Sequence, residues 1–268
     1  MSPKVNDNHA NDLMLVVTNE EIRKAIFSIP GVKAPGPDGY NSSFFKPAWP
    51  IIGDEVCHVM KDFFLNGSML RICTKLTLIP KASHPKFVTE FRPIACCNLL
   101  YKCITKIICN RIKKVLPDLI SPNHSGFIEG RQIVHNVSII QDLVGMYNRK
   151  ASPPWCLLKI DIRKAYDSVQ WDFLHKMLNA LGFPHIFVGW VMSSVSTPTL
   201  THTTNDSTHS FFKGKQGLRQ GDPMSPLLFV ICMEYLSRLL YYASSQDGYQ
   251  FHYRCKTLKL NHLVLQMI

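Results

Sequence analysis

Acidic residues are scarce in this chain. Nineteen Asp and Glu stand against 30 Lys and Arg in 268 residues, a formal net charge of +11 that points to a polyanionic partner. No apolar run is long. The longest, Leu227 to Met233, ends at Glu234 and falls far short of the ~20 residues that cross a bilayer, so no membrane role is expected. No CxxC pair occurs among the nine cysteines, which removes the usual zinc spacing, and their odd number inside apolar stretches reads as reduced core residues. The first thirty residues carry Asp7, Asp12, Glu20 and Glu21 and no basic start with an apolar stretch, so a secretory signal is not expected and the setting is expected to be intracellular. Internal repeats and low-complexity segments are absent too, and a hydrophobic content of 46% excludes disordered and collagen-like classes.

What is present is unevenly distributed. Between Arg71 and Leu116 ten basic residues face Glu90 alone, so this stretch carries nine of the eleven net charges. Residues 1–17 read as the end of a linker. Thr18 with Glu21 three positions on predicts a capped helix that Pro30 and Gly31 stop. Ala34 to Gly39 is turn chemistry, Ile51 to Leu65 returns to helical spacing, and Leu76 to Ile79 predicts a short strand closed by Pro80. Asn98 caps a predicted helix to Leu116, ended by Pro117, whose polar face holds Lys102, Lys106, Arg111, Lys113 and Lys114. A helix is expected over 136–147 and a buried strand over 155–160 that ends at Asp161. Asp167 or Ser168 should cap the next helix, closed by Gly182, and two Thr-rich or aromatic runs around Asn205-Asp206 read as a hairpin. Ser225 at the cap and Pro226 at the first position then begin an almost wholly apolar helix that must be buried. Helices interleaved with a few strands make the class α+β.

Two places could carry chemistry. A carboxylate at the end of a buried strand, Asp161, needs a cation or hydrogen bonds to stay ionised, so it is either a metal ligand or the start of a turn. The loop from Gly217 to Pro226, with Arg219 and Gln220 between two glycines, offers backbone N–H groups to a phosphate or base, or it is an ordinary connection into a helix. The histidines, among them His135, His202 and His209, show no paired spacing for a ligand set.

Lys159-Ile160-Asp161-Ile162-Arg163-Lys164-Ala165-Tyr166-Asp167-Ser168-Val169, followed by Gly217-Leu218-Arg219-Gln220-Gly221-Asp222-Pro223-Met224-Ser225-Pro226, resembles the reverse transcriptase motifs of non-LTR (LINE-type) retrotransposons. Upstream, Lys33 to Gly39 resembles the family's KAPGPDG element, and Leu78 to Lys81 and Phe91 to Ile94 resemble its finger motifs. Ser125 to Arg131 is similar to the segment before the palm. The resemblance covers about residues 18–262, six motifs in order. It implies a right-hand polymerase fold with fingers over 18–154 and palm over 155–268. It also implies RNA-templated DNA synthesis on an RNA template and DNA primer from deoxynucleoside triphosphates, with magnesium as the cofactor. By the same resemblance Asp161 binds metal, Tyr166 screens the sugar 2′ position, Gln220 and Gly221 position nucleotide and template, and Arg92 and Lys81 clamp the triphosphate. The helix from Asn98 presents its cations either to nucleic acid or to solvent. Asp167 and Asp222 match no principal metal ligand of the family and are assigned to helix capping and to the loop.

One element departs from the family pattern. Two adjacent aspartates are expected in a run such as His-Leu-Val-Phe-Ala-Asp-Asp, and this sequence reads His262-Leu263-Val264-Leu265-Gln266-Met267-Ile268. Removing one T from TTT GCA GAT GAT gives TTG CAG ATG AT, which encodes Leu-Gln-Met-Ile with any third base but G. The expectation is therefore an incomplete palm without a thumb, inactive by itself, from a frame shifted inside the catalytic motif. A non-catalytic nucleic-acid-binding remnant is the alternative, and a maturase-like splicing relative a weaker one. The family's work at chromosomal DNA makes the nucleus the expected location.

Overall fold

The computed structural model describes residues 3–69, 73–145, 155–204 and 207–265. Among them are eight helices and one four-stranded sheet. Helices α1 (Asp7–Met14), α2 (Asn19–Ser28) and α3 (Ser42–Asn66) lead into strand β1 (Cys73–Pro80), a 3-10 turn (Val88–Glu90) and strand β2 (Phe91–Cys96). After α4 (Leu99–Leu119), α5 (Ile133–Gly145), α6 (Trp171–Ala180) and α7 (His185–Ser196) come β3 (Thr199–Thr204), β4 (Ser207–Lys213) and α8 (Ser225–Ser244). The sheet order is β2-β1-β3-β4. β1 runs antiparallel to β2, from Lys75 opposite Cys96 to Pro80 opposite Phe91, and parallel to β3, from Cys73 beside Thr199 to Leu76 beside His202. The expected α+β class and the hairpin of β3 and β4 are both present, with the turn residues 205–206 outside the described part.

Helix α4 is the axis of the core. Tyr101, Ile107, Ile108, Ile112, Leu116 and Leu119 are fully buried, and the helix packs against α1, α2, α3, α7 and α8. Asn98 caps it as the sequence predicts, its Oδ1 accepting the Tyr101 N–H at 3.0 Å. The helix runs past Pro117 to Leu119, because a proline in the last turn forfeits only one backbone bond, to a carbonyl near the end of the helix. Thr18 caps α2 on the N–H of Glu21 at 3.1 Å, while the Glu21 carboxylate turns to Arg111 and does not close the reciprocal half of the box.

Several expectations are corrected. Residues 7–14 of the anticipated linker form α1, whose own composition is polar; tertiary contacts hold it, with Leu13 buried, Val5 N–H donating to Leu181 O at 2.8 Å and His9 Nε2 3.1 Å from Asp118. The strand expected over 155–160 is not formed: these residues have no regular structure, and Leu158 (76%) and Ile160 (68%) lie open to solvent. An extended segment can be buried only if a neighbouring strand satisfies its backbone, and none of the four strands pairs with it. Asp167 and Ser168 do not cap α6; they belong to a tight turn in which Ser168 Oγ donates to Ala165 O at 2.9 Å, and Gln170 occupies the cap position without a side-chain bond. Met224, not Ser225, is the N-cap of α8.

Helix α8 is long and apolar enough to cross a membrane by length and composition. Its N-terminal half is core, and Leu228, Val230 and Ile231 are buried along with the polar Glu234 and Ser237. Its C-terminal half leaves Tyr235, Leu239 and Tyr242 exposed, so it is half-buried where the sequence predicts full burial. All nine cysteines are free; seven are buried, Cys73 is half-buried and Cys156 is exposed. Burial pushes the Cys97 thiol up to about 11 and the Cys232 thiol up to about 12, so neither is a nucleophile at neutral pH.

Candidate nucleotide and template site

Three motif segments far apart in sequence meet in one place. The turn 164–169 begins with Lys164 in the left-handed region, at φ 51°. It receives the Gly217 loop edge-on: Gly217 N–H donates to Val169 O at 2.8 Å and Leu218 N–H to Tyr166 O at 2.9 Å. Trp171 Nε1 closes the contact on Gly217 O at 2.8 Å. On the far side of the loop, the Ala95 N–H of β2 donates to Gln220 O at 2.8 Å. Both loop glycines are required. Gly217 has φ 90° and a Cβ there would lie 3.1 Å from Asp167 O; Gly221 has φ 98° and would meet Ala95 O at 3.3 Å. Tyr166 lies half-buried with its ring 5.2 Å from that of Phe229. Between loop and sheet opens an apolar cleft of about 150 Å³ lined by Leu76, Pro93, Trp171, Leu200, Leu218 and Gln220.

A buried polar knot fixes this loop from behind. The Tyr101 hydroxyl donates to Asp222 Oδ2 at 2.5 Å, and Asp222 Oδ1 accepts the Met224 N–H at 2.9 Å, which ties the loop to the start of α8. Arg219 donates to the Tyr101 hydroxyl at 2.9 Å and to the carbonyls of Ser194 and Val195 at the end of α7. Burial, and then the Asp222 carboxylate, hold Tyr101 protonated well above its usual range. Burial opposes charge on Arg219, but Tyr101 and Asp222 outweigh it, so the guanidinium is held above its ordinary value. Asp222 is thus a loop residue, in keeping with the sequence; Tyr101 carries no sequence signal that separates it from ordinary core residues, and Arg219, singled out by its place in the glycine loop, is used inside the knot.

The other site candidates are dispersed. Asp161 is exposed in the irregular stretch before the turn. Arg92 is exposed on β2 opposite Ile79, and Lys81 continues the same register, its N–H donating to Glu90 O at 2.8 Å. Of the α4 cations, Lys113 and Lys114 are exposed and Lys106 is half-buried. Lys102 donates to Ala34 O at 2.6 Å and so anchors the Lys33–Gly39 loop, whose Gly36 packs against the Asn98 N–H with no room for a side chain. Arg111 is only 5% exposed: it pairs with Glu21 at 2.9 and 3.1 Å and donates to Leu13 O. Its charge is spent inside the fold. Arg131, in the Ser125–Arg131 motif, caps the end of α4 by donating to the carbonyls of Pro117, Ile120, Ser121 and His124.

No group of three or more His, Cys, Asp or Glu side chains able to hold a metal ion occurs among the described residues. One exposed carboxylate, Asp161, does not supply the several oxygen ligands that magnesium requires.

A motif order preserved over the chain, with its segments hydrogen-bonded at one loop, is what a single polymerase domain would require. A family model described as reverse transcriptase (RNA-dependent DNA polymerase) matches residues 79–254, and the chain belongs to that family. Proteins of transposable elements are among its relatives. It is similar to the transposon TX1 uncharacterized 149 kDa protein of Xenopus laevis, 30% identical over 234 residues that cover 87% of this chain and 18% of that protein. It is also similar to the Pol polyprotein of the type-2 retrotransposable element R2DM of Drosophila melanogaster, 26% identical over 227 residues, 84% of this chain and 21% of the relative. A type-1 element R2 polyprotein of Nasonia vitripennis is 25% identical over 231 residues, again 84% and 21%. The chain thus spans about a fifth of the length of these relatives.

Proposed function

We propose that these residues are the fingers and the first part of the palm of an RNA-directed DNA polymerase from a LINE-type retroelement, a unit that holds nucleotide and template without extending a primer by itself. The observation that carries the reading is the backbone lock between β2, the Tyr166 turn and the Gly217–Gly221 loop, which fixes Leu218 on the Tyr166 turn and Gln220 on β2. In this reading Gln220 and Gly221 meet the template–nucleotide pair, Tyr166 limits space at the sugar 2′ position, and Arg92 and Lys81 approach the triphosphate from the fingers. Lys106, Lys113 and Lys114 face the nucleic-acid backbone, where each phosphate contact releases condensed counterions. Arg111 and Lys102 leave that set, since the fold already uses them.

Asp161 is the single family metal position filled in these 268 residues, and they contain no pair of adjacent aspartates. Two-metal phosphoryl transfer needs both ions held ~4 Å apart, which one carboxylate cannot do. The purified chain is expected to give no magnesium-dependent primer extension; extension abolished by Asp161→Ala would overturn this. Salt-dependent RNA binding without extension is the expected companion result, and absence of RNA binding at low ionic strength would defeat the reading. The nucleus is the proposed setting. Sequencing the transcript across codons 260–268 and beyond tests the proposed frame shift: a shifted frame resuming with Ala-Asp-Asp is expected.

A further inference from the structure

The tip between β1 and β2 carries exposed apolar side chains and exposed cations. Phe87 and Val88 are 68% and 79% exposed there, Leu78 and Ile79 are also exposed, and the Phe87 ring meets no other ring among the described residues. The same hairpin carries Lys81, His84, Lys86 and Arg92, all exposed. The tip's one carboxylate is already engaged: Glu90 Oε2 accepts the N–H of Lys86 at 2.5 Å and of Phe87 at 3.0 Å. Those two bonds hold the Glu90 carboxyl below its usual range. Lys81 Nζ bonds Thr89 O at 2.8 Å and its N–H bonds Glu90 O, so the loop is pinned at both ends and Phe87 projects from a fixed backbone.

We propose that Phe87 is a stacking residue for an unpaired base of single-stranded RNA, and that Glu90 is the positioning residue that presents it. This rests on the reading that the chain engages RNA. A ring left in water at a tip with several cations and no free carboxylate is complementary to a polyanion with exposed aromatic faces; a duplex hides those faces, and a single strand offers them. Lys86 supplies the backbone attraction, which is sequence-independent and screened by salt.

The test is fluorescence anisotropy of the 268-residue chain with a labelled twelve-nucleotide single-stranded RNA and with the matching RNA duplex, across a salt series. Phe87→Ala is expected to weaken single-strand binding about tenfold with the salt slope unchanged, and duplex binding little. Phe87→Trp should keep the affinity and show indole quenching on binding. Lys86→Ala should instead reduce the salt slope. Glu90→Ala separates the two physical accounts, because removing a negative charge would tighten binding by electrostatics alone, whereas loss of a held platform weakens it. Equal affinities for Phe87→Ala and wild type, equal losses on single strand and duplex, or tighter binding by Glu90→Ala would each overturn the proposal while RNA binding by the wild type stands. Loss in Phe87→Ala of binding to anionic phospholipid vesicles, with RNA binding intact, would assign the tip to a membrane and overturn it as well. Failure of the wild type to bind RNA at all would take down the functional reading and this proposal together.

Discussion

Helix α4 and the segment 155–162 make opposite use of hydrophobic sequence. α4 carries five basic residues, yet it is buried on nearly every side, with even Arg111 drawn inside. Trp155-Cys156-Leu157-Leu158-Lys159-Ile160-Asp161-Ile162 is among the most apolar stretches of the chain, yet it lies mostly in solvent. The difference is in how each satisfies its backbone. A helix closes its own hydrogen bonds and can be packed from any direction, so α4 needed only apolar neighbours, which five helices provide. A strand must borrow its partners, and without a neighbouring edge its side chains gain no burial however apolar they are.

Substitutions that treat the two regions alike should therefore have unequal consequences. The largest is expected for Arg111→Ala, which strands a half-buried Glu21 and the Leu13 carbonyl; urea unfolding should show a loss of about 4 kcal/mol. Leu116→Ala, a cavity on the same helix, should cost about 3 kcal/mol in the same assay. A pH titration sharpens the comparison at the C-terminal end of the fold. His124 is buried beside Ser237 at 2.7 Å, and burial lowers its pKa from 6.5 to about 4. The unfolded chain thus binds more protons below pH 6.5, and stability falls as pH drops through that window. The loss between pH 7 and pH 5 from this group is about 2 kcal/mol and continues to about pH 4. A His124→Gln variant should flatten that slope in urea midpoints measured against pH. The smallest effect belongs to the exposed stretch, where Leu158→Ala and Ile160→Ala should each change stability by less than about 0.5 kcal/mol. A loss as large as that of Leu116→Ala would show the segment to be packed in solution.

Local signals were legible where chemistry is local. Asn98, Thr18 and Gly182 act at helix ends as their residue types predict, since a cap depends only on a few adjacent atoms. The glycines of the Gly217–Gly221 loop are likewise readable as necessary turns, but not what they make room for: Asp167 from one side and Ala95 from the other. The partition of the cations was not legible. Lys102, Arg111 and Lys113 occupy one basic run in sequence, and the fold sends the first to a loop carbonyl, the second to a buried carboxylate and the third to solvent. The helix at 7–14 was invisible for the complementary reason: its stability comes from Leu181, Asp118 and Arg111, all distant in the chain.

The sequence by itself determined the α+β composition, the caps of α2 and α4, the hairpin of β3 and β4 and the motif order that defines the family, because each rests on near neighbours or on a linear pattern. Only the tertiary structure decided that Tyr101, Arg219 and Asp222 form one knot behind the loop, that Arg131 ends α4, and that the apolar stretch before Asp161 stays outside the sheet. Those outcomes depend on which backbone and side-chain groups arrive within hydrogen-bonding distance from far along the chain, and no local pattern encodes that.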